Sequence, residues 1–129
     1  MPMDLDSALG IHAQALPWRA RRLEVLASNL ANAETPGYRA RDLDFSDALE
    51  AARRGRPVLV ATNPRHLQPA GGLAPVLRYR IPAQPSLDGN TVDPDLEKAA
   101  FAEAVVRYQA SLRFLDGKIK GLLRAIKGE

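Results

Sequence analysis

The sequence predicts a mainly α fold. Two long helices, one at each end, form an antiparallel coiled-coil-like pair, with a short helix and an irregular, partly β segment between them. Three observations carry this. Leu9, Ala13, Leu16, Ala20, Leu23, Ala27 and Leu30 alternate spacings of four and three. So do Phe101, Val105, Tyr108, Leu112, Leu115, Ile119, Leu122 and Ile126. Such spacing keeps a stripe of side chains on one helix face. Between the two stripes, residues 55–94 hold seven prolines and four glycines, which leave room only for short regular elements. The chain of 129 residues reads as one domain divided into 1–35, 36–55, 56–92 and 93–127.

In the first segment, Asp4 or Asp6 suits the helix start, because a short acceptor side chain reaches the free N–H groups of the first turn. Leu9, Leu16, Leu23 and Leu30 are the large members of the seam. Pro17 has no N–H to donate, so a bend is expected near residues 13–17. The helix is expected to end at Thr35, since a residue before proline is pushed out of the α region. Pro36-Gly37 then fits the centre of a type II turn. Asn29 and Asn32 stand one helical turn apart just before it. Asparagine is a mediocre helix former. Its repetition reads either as two exposed polar residues or as amides that bond the backbone of the turn or a neighbouring subunit.

Phe45, Ala48, Leu49 and Ala52 form one face of a short helix over 45–55, with Gly55 at its C′ position. Asp42, Asp44 and Asp47 read as carboxylates at that helix start. Val58 to Ala61 and Val76 to Ile81 read as strands, and the remainder of 56–92 as irregular or flexible. Asp93 is a plausible N-cap, Pro94 fits the first helical position, and Asp95 and Glu97 favour the positive end of the last helix. Lys118, Lys120, Arg124 and Lys127 gather at its negative end. Gly117 and Gly121 are small residues one turn apart, either tolerated or a place where a neighbour's helix comes close.

Little in this chain points to chemistry. It has no cysteine, so disulfides, thiolate reactions and Cys-based zinc sites are excluded. His12 and His66 are far apart, and neither has a metal-like partner four residues away. The acidic cluster at 42–47 lacks the glycine and terminal glutamate of a calcium loop. No phosphate-binding loop or nucleophile triad signature occurs. No catalytic residue, metal or cofactor is assigned, and an enzyme is not expected. A net charge of +3 does not demand a nucleic-acid partner. No apolar run reaches a membrane span, and the acidic start, MPMDLDSALG, does not read as a secretory signal. These features alone point to the cytosol.

"LASNLANAETPGYRARDLDF" (26–45) resembles the N-terminal signature of the bacterial flagellar axial proteins, the rod, hook and hook-associated families. Their pattern is a helix reading A-x-N-L/I-A-N followed by T-P-G-Y. The pieces "DGNTVD", "RYQASL" and "GKIKGLLRAI" within 86–126 look like the C-terminal half of a short basal-body rod member, and "TNPRHL" (62–67) matches loosely. The likeness covers both ends, about two thirds of the chain; Pro17 departs from it.

The resemblance implies a structural subunit of the proximal rod that transmits torque and helps to line the export channel. It implies as partners further copies of itself, FlgC, FlgF and FlgG of the rod, FliE, the MS ring and the type III export apparatus. It also moves the expected location to the periplasmic rod of the basal body, reached by export without a cleaved signal peptide, with no nucleic acid bound and no direct membrane insertion. Export substrates of this kind carry a Phe-x-x-x-apolar element, which Phe45 and Leu49 fit. The likeness further favours a packed, hydrogen-bonded corner made of Asn29, Asn32, Thr35, Pro36, Gly37 and Tyr38. The alternatives are another rod subunit such as FlgC and, in a different class, a small basic helical nucleic-acid-binding protein.

Overall fold

A computed structural model describes residues 9–45 and 75–128. The elements are α1 (Ile11–Ala31), β1 (Arg41–Asp44), β2 (Val76–Tyr79) and α2 (Pro94–Lys127). The expected short helix after Phe45, the strand from Val58 and the caps at Asp4 or Asp6 lie outside the described residues.

α1 follows Gly10, whose φ of 73° breaks the backbone ahead of it. The helix is continuous through Pro17, which is exposed. Pro17 does not start a new segment, and the break in the chain lies at Gly10. α1 also ends at Ala31, four residues before the expected Thr35. Asn32 explains this. Its backbone N–H is shared between the carbonyls of Ser28 and Asn29, and its Nδ2 donates back to the Ser28 carbonyl at 2.8 Å. An asparagine side chain that bonds the local backbone competes with helix continuation.

β1 and β2 pair antiparallel, from Arg41 opposite Tyr79 to Asp44 opposite Val76. β1 was not expected: its sequence, RDLD, has one apolar residue, and Leu43 is the one it buries. The aspartates expected at a helix start are thus strand residues as far as Asp42 and Asp44 are concerned. β2 starts where expected, at Val76, but ends at Tyr79 rather than Ile81.

α2 begins as its sequence predicts. The Asp93 carboxylate accepts from the N–H groups of Asp95 and Leu96, and Pro94 takes the first position. It closes at Gly128, in the left-handed region, with Arg124 and Lys127 in the last turn. Its 34 residues give a length of about 51 Å at ~1.5 Å per residue.

The two helices pack against each other and run antiparallel. Asn29 meets Glu97, His12 stacks on Phe114 with ring centroids 5.1 Å apart, and Gly10 approaches the Lys118 ammonium. The buried stripes follow the predicted seams only in part. On α2 the centre is Glu97, Ala104 and Ser111, flanked by the partly buried Phe101, Tyr108, Leu115 and Leu122. Val105 is half-buried, while Leu112 and Ile119 are each 40% exposed and Ile126 is 82% exposed. On α1, Leu26 and Asn29 are fully buried, and Leu16, Leu23 and Leu30 stand beside them half-buried; Leu9, ahead of Gly10, is half-buried as well. Of the predicted seam, Phe101, Val105, Tyr108, Leu115 and Leu122 are therefore partly buried, while Leu112, Ile119 and Ile126 are exposed. The row from Glu97 through Phe101, Ala104, Tyr108, Ser111 and Leu115 has the same alternating spacing. It places small side chains where the helices approach, and the polar residue at its head is held by hydrogen bonds.

Candidate functional site

The site is the corner where α1 ends, β1 begins and α2 starts. Thr35 to Tyr38 make the turn: the Tyr38 N–H donates to the Thr35 carbonyl at 3.3 Å, and Gly37 has φ 72°. That φ lies in the left-handed region that glycine enters without a Cβ penalty. An added Cβ on Gly37 would meet nothing within 4 Å, so conformation rather than space requires the glycine. The Gly37 N–H donates to the Asp88 carbonyl at 2.9 Å and the Thr91 N–H to the Tyr38 carbonyl at 3.0 Å. The turn is thereby fastened to the loop that leads into α2.

Asn29 sits at the centre and is 0% exposed. Its Nδ2 donates to the Arg41 carbonyl at 2.7 Å and to Glu97 Oε2 at 3.1 Å, and its Oδ1 accepts the Arg41 N–H at 3.1 Å. Tyr38 OH reaches Asn29 Oδ1 at 3.4 Å and lies 3.2 Å from Ser28 Oγ. One amide side chain thus joins the end of α1, the first residue of β1 and the first turn of α2. The expectation that it would bond the backbone beside Pro36-Gly37 is corrected to the backbone of Arg41. Asn32 acts locally, on Ser28 and, through Oδ1, on the Thr35 hydroxyl at 3.1 Å.

The residue that grips the turn itself is Asn90, which sequence reasoning missed. Its Nδ2 lies 3.1, 2.8 and 2.9 Å from the carbonyls of Asn32, Ala33 and Thr35. These carbonyls belong to the turn that follows α1. Thr91 adds an Oγ1 that accepts the Ala40 N–H at 2.8 Å. Residues of the segment expected to be flexible therefore hold the corner; the part of that segment before Pro75 lies outside the described residues.

Charge completes the joint. Arg22 donates to both Asp42 oxygens, from Nε at 2.9 Å and Nη2 at 3.0 Å. Arg80 donates from Nη2 to Asp42 at 2.7 Å and from Nη1 to Glu97 at 2.5 Å. Glu97 is 1% exposed, so its charge is held by Arg80 and Asn29 rather than by water. Burial alone would raise the Asp42 pKa, but the hydrogen bonds from Arg22 and Arg80 outweigh it and hold the carboxyl below its ordinary value. The same bond to Asp42 raises the Arg22 pKa against the opposing effect of burial. In sequence these four residues look like separate surface charges, and only the register of β1 against α1 and α2 brings them together.

Pro36 and Thr35 are exposed at the outside of the turn, and Phe45 is half-buried just beyond β1. Leu49, the other half of the candidate export element, lies outside the described residues. Gly117 and Gly121 are exposed, with nothing within 4 Å of an added Cβ. Among the described residues no His/Cys/Asp/Glu group of three or more is arranged for a metal, and no helix is long and apolar enough to cross a membrane.

A family model described as "Flagella basal body rod protein" matches residues 9–39, the span of α1 and the turn. Flagellar basal body rod protein FlgB of Escherichia coli (strain K12) is 49% identical over 132 aligned residues, covering 95% of each chain. The chain belongs to the FlgB family of flagellar basal-body rod proteins. FlgB of Aeromonas hydrophila is 46% identical, covering 100% of this chain and 99% of its own. FlgB of Cereibacter sphaeroides is 51% identical over 94% of each. This FlgB-family chain is a structural component of the flagellar basal body, and the relatives favour this family over FlgC, the alternative rod subunit considered from sequence.

Proposed function

We propose that this FlgB-family chain is a non-catalytic subunit of the proximal rod, where it transmits torque and presents its helices toward the export channel. The observation that supports this most is the exposed row on α2. Leu112, Ile119, Leu123 and Ile126 stay exposed along one side of a helix of 34 residues. Apolar surface in such a line is suited to burial against neighbouring subunits, and repeated head-to-tail contacts of that kind build open helical assemblies. The corner supplies stiffness: the buried Glu97 and the part-buried Arg22, Asp42 and Arg80, paired with one another, hold the two helices together there.

The partners that fit this role are further copies of the chain, the rod subunits FlgC, FlgF and FlgG, FliE and the MS ring. The route is the type III export apparatus, with no cleaved signal, into the periplasmic rod. Deletion of the chain tests the reading. Deleted cells should be non-motile and yield ring structures without rods, and the wild-type chain should restore both. Cells that lack it yet swim and carry complete rods would overturn the proposal.

A further inference from the structure

Apolar side chains stand open at both ends of α2. Among the described residues, the three most exposed large apolar side chains are Leu87 at 110%, Ile81 at 95% and Ile126 at 82%. Ile81 and Leu87 belong to the loop at the corner, whereas Ile126 lies in the last turn of α2, a helix about 51 Å long at ~1.5 Å per residue. Leu96 adds to the corner end, and Ile119 and Leu123 add to the far end. Between Ile81 and the start of α2 the loop encloses an open hollow of about 430 Å³, lined in part by Pro82, Ala83, Val92 and Pro94. The two ends also differ in charge. Exposed at the corner are Glu34, Asp88, Asp93 and Asp95, against Arg39 and Lys98. Exposed over 116–128 are Lys118, Lys120, Arg124 and Lys127, against Asp116. The dipole of α2 accounts for acids in its own first turn and bases in its last. It does not account for Glu34 and Asp88, which lie off the helix, or for the apolar side chains set among the charges.

We infer that the far end of α2 in one copy docks on the corner end of a second copy, so that copies of this chain join head to tail. Leu123 and Ile126 of one copy cover Ile81, Leu87 and the hollow of the next, and the bases around them face Glu34 and Asp95. Burial of the apolar side chains drives the contact. Opposite charge sets its direction, because pairing two corners or two far ends would bring like charges together. Two different surfaces of one chain meet, so the contact is heterologous and repeats into an open assembly unless its rotation closes a ring. The inference rests on the rod reading above and adds to it which two surfaces meet and that the occupant is a second copy.

The test reverses charge at each end of the full chain, in cells lacking the native copy. A corner variant carries Glu34→Lys and Asp95→Lys, a far-end variant carries Arg124→Glu and Lys127→Glu, and a combined variant carries all four. All four positions are exposed, so each purified variant should keep the helical circular dichroism of wild type. Swimming in soft agar and rod yield in isolated basal bodies are measured. The corner and far-end variants should each lose most of both. The combined variant should regain them, because a reversed far end then meets a reversed corner, a rescue available only to a contact between copies of one chain. If either single-end variant assembles like wild type, the inference is overturned. If the combined variant is as defective as the single-end ones, a different chain occupies these surfaces, which also overturns it. A second measurement does not depend on charge reversal. The chain has no cysteine, so Gln84→Cys with Lys127→Cys introduces its only thiols, one at each end. A bismaleimide added to basal bodies built from this variant should yield a ladder of linked copies, and linkage absent between copies would overturn the inference. The wild-type chain separates the two levels: its failure to restore rods sinks the rod reading, whereas restored rods with no effect of the variants sink this inference alone.

Discussion

Replacing Asn29 by Asp is the sharpest test of how the corner is held. The change keeps the shape of the side chain, so no cavity arises, and it converts the Nδ2 donor to an oxygen. Two bonds are lost, to the Arg41 carbonyl at 2.7 Å and to Glu97 Oε2 at 3.1 Å. The first is worth about 0.5–1.5 kcal/mol and the second, to a charged group, about 1.5–3 kcal/mol. The new carboxylate would also face Glu97 in a site from which water is excluded, since Asn29 is 0% exposed. The expected loss is therefore at least about 2–4 kcal/mol. At roughly 4–8 °C per kcal/mol for a small domain, the melting midpoint should fall by at least about 8 °C. Asn32→Asp is the control, because Asn32 bonds only its own turn and is not buried. It should cost less than half as much. Thermal unfolding of the purified chain decides the matter. An Asn29→Asp variant within about 0.5 kcal/mol of wild type, the range of ordinary surface changes, would refute the placement of Asn29 at the centre of the joint.

Other outcomes follow from the same geometry. Gly37→Val should be exported but fail to build a rod, because φ 72° is strained for a β-branched residue even with open space around it; normal swimming of this variant would argue against the turn. Leu115→Asp, at a half-buried position, should lower the melting temperature, whereas Ile119→Asp should leave it nearly unchanged and abolish rod assembly; equal effects of the two on stability would count against the assigned stripes. The Asp42 pKa is lowered on folding, so its contribution is fully present above the ordinary carboxylate value of 3.8 and is lost as pH falls through the lowered value. Denaturant unfolding from pH 5 down to about pH 2 should show this acid limb, and Asp42→Asn should be less stable at neutral pH and show a shallower one.

The helices were legible in the sequence because their periodicity and caps are local signals. The start of α2 at Asp93-Pro94 uses a carboxylate and a proline whose roles are set within four residues. The facing stripes were less legible. Counting apolar residues selects Phe101, Val105, Tyr108, Leu115 and Leu122, which are partly buried, together with the exposed Leu112, Ile119 and Ile126, but it passes over Glu97, Ala104 and Ser111, the most buried positions of α2. A glutamate at the head of a buried stripe is readable only once Arg80 and Asn29 are known to meet it. Asn29 and Asn32 drew notice as weak helix formers beside a proline-glycine turn, yet their roles differ because only Asn29 points toward β1 and α2. Asn90 gave a fainter signal, an asparagine after Asp88-Gly89 that reads as one more turn residue. Its three carbonyl contacts lie more than fifty residues away in sequence and arise only from the tertiary fold.

Electron cryo-microscopy of isolated basal bodies tests the central claim most directly. The chain should be found in the proximal rod, next to the membrane-embedded ring. Its α2 should be covered by neighbouring subunits along Leu112, Ile119 and Ile126, and Asn29 should be closed on Arg41 and Glu97 as in the single chain. A rod that is complete without this chain, or one in which that row of α2 faces open solvent, would contradict the account.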